Sequence, residues 1–322
     1  MSNGMDQAIK DFAKQFSYQP QLEGDFDNSR FQKFIVCGMG GSHLAANILK
    51  TVEPQLDLVI HSDYGLPTAD LAGRLVIAMS YSGNTEEVIE SFNQALEYQL
   101  PLITIAVGGR LLELAKANGV PYIQLPNTGI QPRSALGFMF LALLKAMGQE
   151  DSLNQASKLV HILKPADLEP AGRGLAEKFA GSVPIIYASN RNWSVAYNWK
   201  IKLNETGKIP AFYNVLPEMN HNEMIGFDVK DSSQELSEKF YFVFLRDPDD
   251  HPQIKKRFKV LESLYQNRGL RVEAIDLAGE TVLEKIFSSL LLADWFAFYT
   301  AQNYGLESEL VPMVEEFKKL IQ

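Results

Sequence analysis

Short apolar runs alternate with helical patterns along this chain, and the alternation comes in two rounds. In the first round Phe34-Ile35-Val36, Leu56 to His61, Leu75 to Met79, Leu102 to Val107 and Tyr122 to Leu125 read as strands. Leu44 to Thr51, Asn84 to Tyr98, Leu111 to Asn118 and Ser134 to Met147 read as helices between and after them. In the second round Val183 to Ala188, Phe240 to Leu245 and Val272 to Ile275 read as strands. Val195 to Leu203, Ile254 to Asn267 and Thr281 to Tyr304 read as helices, and Pro312 to Ile321 as a last one. Alternation of this kind predicts parallel sheets with helices on both faces. The expected fold is therefore α/β, with two doubly wound parallel-sheet domains. Asp6 to Phe16 is expected to be an amphipathic leader helix, and the polar stretch Gly148 to Ser157 lies near the boundary. The domains are placed at residues 1–155 and 156–322.

With 322 residues, 46% hydrophobic and 21% charged, the chain has room for two ordinary cores. A formal charge of −9 argues against non-specific binding to nucleic acid, though a local pocket can still hold an anion. The one cysteine, Cys37, forbids an internal disulfide and is expected to be a small buried residue. Met1 to Phe16 is polar, and the apolar stretch Ile286 to Ala301 is short and broken by Asp294. The expected location is the cytoplasm.

Ser80-Tyr81-Ser82-Gly83-Asn84-Thr85 lies where a strand hands over to a helix. The first N–H groups of a helix have no internal partner, and its dipole favours an anion. Small hydroxyls there add donors without bulk, which suits a phosphate. The alternative is a capping box with Asn84 as N-cap and Glu87 at N3. A second cluster, Gly38-Met39-Gly40-Gly41-Ser42-His43, follows the first strand. It suits a small anionic ligand. It also fits part of a dinucleotide fingerprint, with Asp63 as the ribose acid and His43 where a small residue is needed, and it could be a plain turn. Arg133 starts a hydrophobic helix, where the dipole disfavours it. Either it has a specific oxygen partner or it is exposed.

A third constellation joins Asn204-Glu205 at a helix end to Pro217-Glu218-Met219-Asn220-His221-Asn222-Glu223. Carboxylate and imidazole are the usual side chains for moving protons near neutral pH. A metal held by His221, Glu218 and Glu223 lacks a second nearby histidine. On spacing alone, an ordinary capped helix and a satisfied loop histidine account for this stretch narrowly better.

Together the Gly40-Gly41-Ser42 loop, the Ser80 to Thr85 loop and the Asn204-Glu205 … His221-Asn222-Glu223 block resemble the bifunctional phosphoglucose/phosphomannose isomerases of archaea and bacteria. Tyr64-Gly65-Leu66-Pro67 and Gln131-Pro132-Arg133 extend the resemblance over nearly the whole length. It implies two flavodoxin-like sugar-isomerase (SIS) domains and metal-independent aldose–ketose isomerisation of hexose 6-phosphates, without cofactor, through a cis-enediol. Ser80, Ser82 and Thr85 would hold the phosphate, and Gly41, Ser42 and Arg133 would line the sugar site. Glu205 would be the base, with His221 and Lys318 assisting ring opening and Lys319 the alternative to Lys318. The resemblance also implies a homodimer with sites at the subunit interface. The family associates a threonine before its C-terminal lysine with the mannose epimer, and Leu310 to Phe317 contains none. Glucose 6-phosphate is thus the expected aldose, with mannose 6-phosphate as the second.

Overall fold

The computed structural model describes residues 4–68, 70–230 and 232–321. It divides into two compact units, Lys10–Leu163 and Lys164–Gln322, the latter joined by Gly4–Ile9. The leader is not one helix. α1 (Met5–Lys10) stops, and a 3-10 segment, Phe12–Ser17, follows. Met5, Ala8 and Ile9 are buried in the first piece, Phe12 and Phe16 in the second. The two pieces fall in different compact units, so a continuous amphipathic stripe would serve neither.

The first unit carries β1 (Lys33–Cys37), β2 (Asp57–His61), β3 (Leu75–Met79), β4 (Leu102–Ala106) and β5 (Tyr122–Gln124). All neighbours are parallel, in the order β2-β1-β3-β4-β5. This is the flavodoxin-like order, whose direction of winding reverses between β1 and β3. β3 and β4 are buried at every position, as the unbroken apolar runs required. Helices α2 (Gly41–Val52), α3 (Glu86–Glu97), α4 (Gly109–Ala117) and α5 (Leu136–Ala146) complete the layers. One core joins Ile35, Val76 and Ala78 of the sheet to Val88 and Phe92 of α3 and to Leu111 and Leu112 of α4. Full burial of side chains such as Phe92 contributes about 2 kcal/mol each. The polar stretch after Gly148 forms α6 (Glu150–Ser157), an amphipathic surface helix that buries only Ala156. α7 (Leu159–Ile162) ends the unit.

The second unit holds β6 (Val183–Ser189), β7 (Phe212–Leu216), β8 (Phe240–Arg246) and β9 (Arg271–Asp276). They are parallel in the order β7-β6-β8-β9, the same winding with one strand fewer. Its helices are α8 (Glu169–Lys178), α9 (Trp193–Glu205), α10 (Glu223–Gly226), α11 (Gln234–Ser237), α12 (Pro252–Gln266), α13 (Val282–Asn303) and α14 (Pro312–Leu320). α13 packs on α8 and α9, and a buried Lys202–Asp294 pair at 2.6 Å joins α9 to it. β7 has no counterpart among the strands expected from the sequence. It is an edge strand between Pro210 and Pro217, with Phe212 and Tyr213 exposed, so it shows neither an apolar run nor a clean alternation. β7 matters because its end delivers the loop that carries His221.

Candidate active site

The C-terminal ends of β1 and β3 flank the point where the first sheet reverses its winding, the usual place for a ligand in an open α/β sheet. Gly41 opens α2 there. A Cβ at Gly41 would come within 2.9 Å of the Arg133 nitrogen, so only glycine lets the two segments meet. Arg133 is 3% exposed, which removes the reading of a surface arginine. Ser42 accepts a hydrogen bond from the Tyr81 N–H at 2.9 Å and so ties the first glycine loop to the Ser80 loop.

The Ser80 loop is laced by its own hydroxyls. The Ser80 and Thr85 hydroxyls are 2.8 Å apart, and the Gly83 N–H donates to Ser80 Oγ at 3.1 Å. The Asn84 N–H donates to Ser82 Oγ at 3.3 Å. Gly83 sits at φ +74 with the Gly108 carbonyl where a Cβ would be, so the turn admits no other residue. Thr85, not Asn84, is the N-cap of α3, and no side chain caps the helix. The capping box therefore does not form. Asn84 instead accepts from the Arg110 N–H at 3.0 Å and so braces the β4–α4 turn. With Thr85 Oγ1 turned to Ser80, the first amides of α3 take no bond from the cap side chain. The Tyr64 hydroxyl lies 3.5 Å from Glu86 in the first turn of α3.

His43 is buried, and burial holds its imidazole below the ordinary histidine range, so it is neutral at pH 7. Cys37 is buried at the end of β1, and burial pushes its thiol up to about 12. Asp63 folds back to accept the N–H of Tyr64 at 2.7 Å.

In the second unit Glu205 is the last residue of α9 and is half-buried. The turn behind it is fixed from both sides. Asn204 Nδ2 donates to the Ile209 carbonyl at 3.0 Å and the Ala211 carbonyl at 3.4 Å, leading the chain into β7. Lys208, at φ +59, donates to the Glu205 carbonyl at 2.6 Å and also to the Leu310 carbonyl ahead of α14. His221 ends a 3-10 turn, Glu218–His221, and is exposed. Lys318 lies on α14, 58% exposed and 2.9 Å from Glu315. Among the described residues no group of three or more His, Cys, Asp and Glu side chains is arranged to hold a metal ion. Of the three side chains weighed for a metal, Glu218 takes the Asn222 amide at 2.9 Å and Glu223 takes the Tyr187 and Asn214 donors.

Residues 169–321 match the model of the bacterial phospho-glucose isomerase C-terminal SIS domain. The bifunctional phosphoglucose/phosphomannose isomerase of Aquifex aeolicus is 30% identical over 317 residues, covering 97% of this chain and 96% of that protein. The chain belongs to the bifunctional phosphoglucose/phosphomannose isomerase family. A relative with another name, the D-glucosamine-6-phosphate 4-epimerase of Sulfolobus acidocaldarius, is 31% identical over 292 residues, covering 88% of this chain and 89% of that protein. Among solved structures, the C-terminal domain of glucosamine-fructose-6-phosphate aminotransferase from Francisella tularensis shares the fold. Its TM-score is 0.67 at 13% identity, and the match covers 96% of this chain and 98% of that one.

Within this phosphoglucose/phosphomannose isomerase family member the first unit brings Gly41, Ser42, Ser80, Ser82, Thr85 and Arg133 to one end of its sheet. The dinucleotide reading of the glycine cluster falls away. Asn204, Lys208 and Glu223 were not singled out from sequence as holding the site together. The only signal was position: each lies within three residues of Glu205 or His221.

Proposed function

We propose that this protein is a metal-independent aldose–ketose isomerase that interconverts fructose 6-phosphate with glucose 6-phosphate and mannose 6-phosphate. The observation that carries the reading is the N-terminus of α3. No side chain caps it, it is lined by Ser80, Ser82 and Thr85, and it lies at the switch point of a sheet whose family acts on hexose phosphates. The phosphate accepts from those hydroxyls and from the first amides of the helix. Backbone donors and hydroxyls hold a dianion without a lysine and leave the rest of the sugar free to react.

Catalysis then needs two proton movements. Ring opening takes the proton from the anomeric hydroxyl to the ring oxygen as the C–O bond breaks and a carbonyl forms. His221 shuttles that proton, and Lys318 assists from α14. The carbonyl makes the neighbouring C–H acidic. Glu205 removes the proton from C2 of the aldose, the electrons shift to the carbonyl oxygen, and a cis-enediol results. The same carboxyl returns the proton to C1, which gives the ketose. Return to either face of C2 in the reverse direction gives the glucose or the mannose epimer. Arg133, buried and cationic, stabilises charge on the enediolate oxygens.

We infer further that two copies assemble. α14 buries none of its side chains, and Met313, Val314, Phe317 and Leu320 are exposed along it. A second copy covering that stripe supports Lys318 and His221 in the completed sites.

The 4-epimerase relative supports a second reading, inversion at C4 of an amino sugar phosphate. C4 is not adjacent to the carbonyl of an opened aldose, so a single carboxylate does not suffice for it. One assay separates the two. The pure protein is incubated in chelator with fructose 6-phosphate and, separately, with glucosamine 6-phosphate. Glucose 6-phosphate and mannose 6-phosphate are expected from the first. No aldose from fructose 6-phosphate, or a C4 epimer of glucosamine 6-phosphate instead, would overturn the isomerase reading.

A further inference from the structure

We propose that Glu223 is a positioning residue that holds the His221 loop in place for ring opening. The inference rests on the assignment of His221 to that step. His221 stands in a seven-residue block, and the polar side chains around it are committed to holding the loop. Asn220 Oδ1 accepts from Arg257 of α12 at 3.2 Å. Asn222 accepts the Glu223 N–H at 2.5 Å and donates to Glu218 at 2.9 Å. Met219 is fully buried beneath them. None of these bonds uses the imidazole, which stays exposed.

The anchor of the block is Glu223. Its Oε1 accepts from the Tyr187 hydroxyl of β6 at 2.5 Å, and its Oε2 accepts from Asn214 Nδ2 of β7. Both donors are set by contacts outside the loop. Asn214 Oδ1 accepts the Val215 N–H at 2.8 Å, which turns its amide nitrogen toward Glu223. Tyr187 is fully buried, and burial, more than the nearby Tyr265 and Glu223, pushes its phenol far up, so it remains a donor. A carboxylate can accept from both donors at once. A glutamine offers one oxygen only, so it can accept from one of the two donors and must turn its amide nitrogen on the other. The Glu223 side chain, two residues from His221, therefore locks the loop to two adjacent strands.

The test uses a substrate that needs no ring opening. 5-Deoxyfructose 6-phosphate lacks the hydroxyl that closes the ring, so it reaches Glu205 already as a ketone. Glu223→Gln and, as a separate variant that keeps the ring's bulk, Tyr187→Phe are compared with the unmutated protein on both sugars. Both variants are expected to lower kcat on fructose 6-phosphate about tenfold with KM changed less than about twofold. Turnover of the 5-deoxy sugar is expected to stay within about twofold of the unmutated rate. Equal loss on both sugars would mean general damage and would overturn the proposal, as would no loss on either. If Glu223→Gln does not fold, Tyr187→Phe alone carries the comparison. An unmutated protein inert on both sugars would overturn the isomerase assignment, and the proposal with it.

Discussion

The two sheets share a winding order, yet the crevices at their switch points are built from opposite chemistry. In the first unit the ends of β1 and β3 present glycines, hydroxyls and the side-chain-uncapped start of α3. In the second, β6 ends in Ser189 and the turn Asn190–Asn192, and β8 leads into Asp247-Pro248-Asp249-Asp250. Lys285 of α13 sits among the acids, 3.1 Å from Asp247 and 2.5 Å from Asp249. Asn192 donates to Asp247 at 3.1 Å, and Arg191 lies 3.8 Å from it. At the first crevice no side chain caps the start of α3, while at the second Asp247 is paired with Lys285 and Asn192. The groups proposed to react in the second unit, Glu205 and His221, lie elsewhere, at the end of α9 and on the loop after β7. A shared fold thus fixes where a ligand can bind, and the loop residues decide whether one does.

Three substitutions probe that contrast. The largest expected effect is on chemistry. Glu205→Gln should lower kcat on fructose 6-phosphate by about a thousandfold, read by coupled assay, since it removes the proposed base. Near-normal turnover would take Glu205 out of the mechanism. Next is Lys285→Met. It leaves the buried Asp247 charge without its ammonium, and urea unfolding should show a loss of about 3 kcal/mol. A loss near zero would mean that the second crevice is not held by that pair.

The smallest effect is on pH dependence. Burial pushes the Asp250 carboxyl above the ordinary 3.8, helped by the Asp247 charge and opposed by Ser189 and Arg191. The folded state then binds this proton more tightly than the unfolded one. Stability falls as pH rises from the ordinary value through the raised one, and the penalty is fully present at neutral pH. Asp250→Asn should therefore be the more stable protein at pH 7 by thermal melting, with the difference vanishing at acid pH. Asp247 has the opposite sign. Burial pushes it up, but the Asp249 N–H, the Asn192 amide and Lys285 together hold it below 3.8. Its contribution is present above 3.8 and is lost as pH falls through the lowered value. Lower stability of Asp250→Asn at pH 7 would contradict this assignment.

The contrast was only partly legible in the amino-acid sequence. β1, β3, β4, β6 and β8 were visible because a parallel strand buried on both faces leaves an unbroken apolar run. The Ser80 loop was visible because strand, small residues and helix follow one another directly. β7 was hidden, since an edge strand between two prolines buries too little to leave a pattern. The N-cap of α3 was misplaced by one residue. Asn84 satisfies the local rule for a cap, but a long-range bond to the Arg110 N–H claims its side chain. The burial of Arg133 depends on Gly41 lying against it, and the role of Glu223 depends on Tyr187 and Asn214. None of these partners is near in the chain except Asn214, and it lies on the strand that left no signal.

Equilibrium binding separates the phosphate-holding role proposed for Ser80 and Thr85 from the proton transfer proposed for Glu205. Fructose 6-phosphate is titrated calorimetrically into Glu205→Gln and into the double variant Ser80→Ala, Thr85→Ala. The account predicts that Glu205→Gln binds within about twofold of the unmutated protein, because the base contributes to proton transfer and little to ground-state binding. It predicts that the double variant binds at least about tenfold more weakly, having lost two hydrogen bonds to a charged phosphate. Normal binding by the double variant, or equal loss in both proteins, would contradict it.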